Sequence, residues 1–141
     1  VGWLCRDGPL ARLILDTTAL VDAESEGLGP LDRLIGDEDD VAIAAISVAE
    51  LVVGAELTDG RRQAERRAFL DAVLGAFSVE SYDLDVAQAH GALLAYSRRS
   101  GRPRGSHDLI IAATARARGR EVVSADRNGF SDLPDVILRS G

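Results

Sequence analysis

Ala11-Arg12-Leu13-Ile14-Leu15-Asp16-Thr17-Thr18-Ala19-Leu20 carries the reading of the fold. Residues 11–15 are a short, mostly apolar run, as in a buried strand, and the run stops at an acid followed by two hydroxyl residues. A small helix is expected over Thr17 to Ala23, before Gly27, Gly29 and Pro30 mark a turn. The order then recurs. Val41 to Ala45 reads as a second apolar strand with a helix over Ser47 to Leu57 behind it. Glu121 to Ser124 is a third, led into by a helix over Asp108 to Arg118 that Gly119 ends. Short apolar strands separated by helices predict a parallel sheet covered on both faces.

The remaining segments fit that frame. Leu31 to Ile35 reads as a helical turn or two, and Phe77 to Tyr82 as a weak strand. Arg61 to Leu74 is expected to be amphipathic, with Ala64, Ala68, Leu70, Val73 and Leu74 sharing a face. Asp85 to Arg99 opens on acids and closes on Arg98 and Arg99, as the helix dipole favours. Ser100 to Gly105 is a basic loop, and Val136 to Leu138 a last strand. The expectation is an α/β domain with a central parallel sheet of four or five short strands. Residues 1–10 form a poorly patterned lead-in and residues 11–141 the domain.

Composition bounds the function. The chain has 141 residues, 46% hydrophobic and 28% charged, which suits one domain with a core of its own. Cys5 is the only cysteine, so neither a disulfide scaffold nor a cysteine-rich zinc site is available. No run approaches the roughly 18 apolar residues of a membrane span, and Arg6, Asp7 and Arg12 interrupt any signal-peptide core. The expected location is the cytoplasm, with no membrane partner. A net charge of −7 argues against nonspecific nucleic-acid binding on a basic surface. That argument weakens if carboxylates gather around a cation, which inverts the local field.

Four acids fall where a parallel sheet builds its sites, beyond the carboxyl ends of the strands. Asp16 follows the first strand, Glu50 lies a helical turn after the second, Asp126 comes two residues after Ser124, and Asp108 opens the helix leading into that strand. Hard oxygen donors of this kind suit Mg²⁺ or Mn²⁺. Each acid also has a plain structural role open to it. Asp16 fits an N-cap and Ser47-Val48-Ala49-Glu50 a capping box. Asp108 fits a dipole-compensating first turn, and Asp126 a turn with Asn128 and Gly129.

Outside the acids, Arg98, Arg99, Arg102 and Arg104 precede Asp108. They suit either a solvated helix end or contacts to nucleic-acid phosphates or a protein partner, Arg102 and Arg104 above all. His107 is expected to be a loop residue, since metal-activated hydrolysis needs no histidine. Tyr82 and Tyr96 are read as packing residues that could also stack on bases.

With these residues in view, the chain resembles PIN-domain ribonucleases of the VapC toxin type, from about Leu13 to Leu138. Four blocks carry the resemblance: Leu15 to Asp22, Ile46 to Gly54, Asp108 to Ala115, and Val122 to Asp126, with Phe130 and Leu133-Pro134 following. It implies a PIN-like fold and endonucleolytic cleavage of RNA by a metal-activated water. The implied site is Asp16, Glu50, Asp108 and Asp126 holding Mg²⁺ or Mn²⁺, with Ser124 orienting it. A homodimer and a VapB-type antitoxin covering the active groove are implied as partners. Two departures stand out. Gly129 takes a place where many members carry a further Asp, which weakens a second metal position. The lead-in is longer than usual, and with no Met in the chain the true start is left open.

Two other classes fit the strand-end acid less well. A phosphotransferase using Asp16 as nucleophile wants a second acid two residues on, where Thr18 stands. A phospho-Asp signalling or binding domain wants a phosphate-facing Lys, and every cationic residue here is Arg or His.

Overall fold

The computed structural model describes residues 11–27 and 35–139. The lead-in over 1–10 and residues 31–34 of the expected second helical turn lie outside the described residues, and Ile35 belongs to no helix. The elements in chain order are β1 (Arg12–Leu15), α1 (Thr17–Glu26), β2 (Asp40–Ala44), α2 (Ala45–Glu56), α3 (Gly60–Ala76), β3 (Ser78–Glu80), α4 (Leu84–Ser100), α5 (Ser106–Arg118), β4 (Glu121–Val123) and β5 (Leu138–Arg139). A 3₁₀ turn over Arg127–Gly129 follows β4.

The five strands form one sheet in the order β3-β2-β1-β4-β5, every pair parallel. Strand β1 is central: Ile14 pairs with Ala42 of β2 on one side and with Val122 of β4 on the other. The chain builds outward from β1 through β2 to β3, then returns to β1's free edge to lay down β4 and β5. The strand order therefore reverses between β1 and β4, where an open α/β sheet leaves a crevice beyond its strand ends.

The period of two in β1 divides the core. Ile14, Ala44 and Val122 pack on one face with Val86 and Leu93 of α4, Leu109, Ile111 and Ala112 of α5, and Phe130. Leu13, Leu15, Ile43 and Val123 pack on the other with Ala19, Leu20 and Ala23 of α1 and Val73 of α3. Fully covered strands of this kind read as continuous apolar runs, which is why β1, β2 and β4 were legible.

Helix α3 corrects the expected face. Ala64, Ala68 and Leu74 are exposed, and among its apolar residues only Val73 is buried. Val73 and Phe69 pack against the core, and long polar side chains add a second set of contacts. Gln63 Nε2 donates to the carbonyls of Ala55 (3.0 Å) and Thr58 (2.8 Å), and Arg66 Nη1 to that of Gly54 (3.0 Å). The Gly54 and Ala55 carbonyls belong to the last turn of α2, whose acceptors lack intrahelical partners, and Thr58 lies just beyond it. Hydrophobic periodicity is blind to that kind of docking.

Arg120, between Gly119 in the left-handed region (φ 65°) and β4, is buried among three other strands. Its guanidinium donates to the carbonyls of Leu13 (3.1 Å) and Asp40 (2.9 Å) and to the Glu80 carboxylate (2.7 Å). Removing one member of a buried pair strands the other. Arg120→Met should therefore cost about 3 kcal/mol of stability in urea or thermal melts; a change within experimental error would mean that the guanidinium contributes nothing net.

Candidate active site

Asp16 ends β1 and caps α1. Its backbone is extended (φ −80°, ψ 170°), its N–H continues the ladder to Val123 O (3.1 Å), and its Oδ1 accepts the Ala19 N–H at 2.9 Å. The other oxygen accepts the hydroxyls of Thr18 (2.7 Å) and Ser124. Both readings of Asp16 thus hold at once, cap and strand-end acid. The residue is 1% exposed. Burial pushes its carboxyl above the usual carboxylate range, the bonds from Ser124, Ala19 and Thr18 pull against that, and the charge of Asp126 adds to it.

Ser124 joins the second acid to the first. While its hydroxyl donates to Asp16, its oxygen accepts the Asp126 N–H at 2.9 Å. Asp126 caps the 3₁₀ turn through the Asn128 N–H (3.2 Å) and is itself exposed.

Asp108 lies in the first turn of α5, half-buried. Two glycines make room for its carboxylate. A Cβ on Gly105 would come within 3.3 Å of Asp108 Oδ2, and one on Gly129 within 2.6 Å. The Gly129 departure noted in the sequence therefore has a local reason: a side chain there would displace Asp108 from the position it holds. The Asp108 carboxyl is pushed up by burial first, then by the charges of Asp16, Asp126 and Glu50, with His107 acting the other way. Asp108 thus feels the charge of the other three acids.

Glu50 corrects the capping box. Helix α2 begins at Ala45 with no side-chain cap, so Ser47 and Glu50 are both inside it. Glu50 Oε1 accepts the Thr17 hydroxyl at 2.8 Å, and Oε2 lies 3.2 Å from His107 Nδ1. His107 is correspondingly part of α5 and a partner of the site, and no loop residue. The hollow at these side chains is lined by Thr17, Thr18, Val21, Asp22, Glu50, His107 and Asp108. The sequence assigns Thr17, Thr18 and Ser47 no part in the site, although two hydroxyls directly after a strand-end acid are a usable signal.

The basic loop is tied into the protein. Arg102 pairs with Asp132 at 2.7 Å, and Arg104 donates to the Ser131 carbonyl at 2.7 Å, so both clamp the α4–α5 loop to the segment after the 3₁₀ turn. Arg98 and Arg99 are exposed at the end of α4. Tyr82, half-exposed, bonds His90 Nδ1 through its hydroxyl at 2.9 Å.

Asp16, Glu50, Asp108 and Asp126, with the Ser124 hydroxyl, are the groups able to hold a hard divalent cation. Among the described residues no three His, Cys, Asp or Glu side chains already close as a ligand set. The donor chemistry nevertheless fits one: oxygens alone, and mutual repulsion at Asp108 that a bound cation relieves.

Comparison with known proteins agrees with this architecture. A family model described as PIN domain matches residues 13–136. Two curated relatives are each named tRNA(fMet)-specific endonuclease VapC. The Shigella flexneri protein is 27% identical over 123 residues, 86% of this chain and 91% of its own length. The Salmonella typhimurium protein is 31% identical over 98 residues, 70% of this chain and 73% of its own. Among solved structures, VapBC-5 from Mycobacterium tuberculosis, a member of the VapBC family of toxin–antitoxin systems, superposes with a TM-score of 0.75 at 29% identity. That match covers 92% of this chain and 99% of the other. No helix among the described residues is long and apolar enough to cross a membrane.

The crowding of charge has a measurable consequence. A carboxyl whose folded-state pKa is raised binds its proton more tightly in the native state, so stability falls as pH rises from the unfolded carboxyl range through the raised value. Asp108→Asn should therefore melt above the parent at neutral pH in divalent-free buffer. The gap should close as pH drops toward the unfolded value of 3.8. A gap independent of pH would mean that charge is not its cause.

Proposed function

Since the chain belongs to the PIN domain family, in its VapC branch, we propose that it is a metal-dependent endoribonuclease and the toxin of a VapBC-like pair. The observation that carries the proposal is geometric: Ser124 ties Asp16 to the Asp126 turn, and Glu50, His107 and Asp108 line one hollow, at the crevice beyond β1 and β4. The names of the relatives supply the reaction class, and the VapBC structure the setting.

Under this reading Asp16, Glu50, Asp108 and Asp126 hold Mg²⁺ or Mn²⁺. Bound there, the cation would supply Lewis acidity toward an attacking water and positive charge at the scissile phosphate. The chain's residues prepare the place. Ser124 keeps Asp16 and the Asp126 turn in one unit, so two acids from adjacent strands move together. Gly105 and Gly129 leave Asp108 its room. Arg102 and Arg104 sit on the loop leading into α5, and as clamps they would act on RNA by shaping that rim as well as by charge. A VapB-type antitoxin covering the groove and a homodimer complete the proposal, with the cytoplasm as its location.

The test is incubation of the antitoxin-free chain with total cellular RNA and Mg²⁺ or Mn²⁺, beside EDTA and Asp16→Asn controls. Discrete fragments are expected with the metal and none in either control. Cleavage that persists in EDTA or in Asp16→Asn would overturn the site. A chain that neither cuts RNA nor gives heat with Mn²⁺ in calorimetry would overturn the enzyme, leaving a non-catalytic binding domain.

A further inference from the structure

The Glu50 side chain has several rotatable bonds and hangs from the middle of α2, with His107 Nδ1 beside one of its oxygens. What aims it is a directed chain of hydroxyls. Thr17 Oγ1 donates to Glu50 Oε1 at 2.8 Å. A threonine hydroxyl has one proton, so the 3.1 Å contact between Thr17 Oγ1 and Ser47 Oγ must be a donation from Ser47 to Thr17. Ser47 is completely buried, one turn before Glu50 on the same helix, while Thr17 is the first residue of α1, beside Asp16. The chain thus runs from a fixed, dry anchor on α2, through the start of α1, back to a carboxylate on α2. Its neighbour Thr18 does the same for the first acid, donating to Asp16 Oδ2 at 2.7 Å. Successive hydroxyls on one turn serve two acids from different elements.

We propose that Thr17, seated on Ser47, is the positioning residue of Glu50: it holds the carboxylate toward Asp108 and against His107, in the orientation needed to share a divalent cation. This rests on the reading of the carboxylate cluster as a metal-dependent site. Partners of ligating carboxylates set ligand orientation, and their loss lowers metal affinity by about 10- to 100-fold.

The test measures Mn²⁺ affinity by calorimetry, kcat and KM on RNA, and the melting temperature in EDTA. It compares the parent chain with Thr17→Val, Thr17→Ser, Ser47→Ala, Glu50→Gln and the Thr17→Val/Glu50→Gln double variant. Thr17→Val should lose about 10- to 100-fold in Mn²⁺ affinity and lower kcat with KM little changed. Thr17→Ser, which keeps the hydroxyl, should recover both, and Ser47→Ala should fall between. Because Thr17 acts through Glu50, its substitution should add almost nothing to Glu50→Gln. Parent-like Mn²⁺ affinity in Thr17→Val, or losses additive with those of Glu50→Gln, would overturn the proposal. If Thr17→Val does not fold, Ser47→Ala decides by the same two readouts. A parent chain that neither binds Mn²⁺ nor cuts RNA would instead overturn the reading of the site.

Discussion

A carboxylate sealed into the end of the central strand is the constraint around which this structure is arranged. Asp16 has almost no contact with water, and a buried acid left without donors would be expensive. The fold supplies them from three directions: the Ala19 N–H from the first turn of α1, Thr18 from the same turn, and Ser124 from the end of β4. Each donor depends on something larger. The amide requires α1 to start immediately after β1, and Ser124 requires β4 to lie beside β1. That adjacency exists because the chain returns across the sheet to β1's free edge.

Once Asp16 is in place, the other acids are brought close by connections made for packing. Asp126 is carried by the turn that Ser124 anchors, and Asp108 by the helix whose Leu109, Ile111 and Ala112 fill one face of the core. The result is a concentration of negative charge at one crevice, with the Asp108 carboxyl pushed up by burial and then by three other carboxylates. Arginines elsewhere hold the scaffold, Arg120 most of all, by joining β1, β2 and β3 through one buried guanidinium. The separation is physical. Cations stabilise the sheet where they can be paired, and the crevice is left acidic.

The legible parts of the fold were those with a periodic or punctuated signal. Buried strands read as apolar runs, and Gly101 and Gly119 end α4 and α5 in the left-handed conformation that glycine favours. Illegible parts were those where polar side chains make the tertiary contact. Gln63 and Arg66 dock α3 onto the end of α2, so its apolar stripe of Ala64, Ala68 and Leu74 faces solvent. The Ser47-to-Glu50 spacing fits a capping box, yet the helix starts two residues earlier, because Ala45 continues β2's chain straight into it.

For the site, the sequence alone determined which acids follow which strands, since chain order and apolar runs place Asp16, Glu50, Asp108 and Asp126 near strand ends. It also determined the family, through four ordered blocks that the PIN domain match over residues 13–136 spans. Only the tertiary structure decided what those acids touch. That Thr17 donates to Glu50, that His107 faces the same carboxylate, and that Gly129 yields its space to Asp108 depend on residues 33, 57 and 21 positions apart meeting at the strand ends. No local pattern encodes such meetings, because hydrogen-bond geometry is set by how helices are laid on the strands and not by the spacing of residues along the chain.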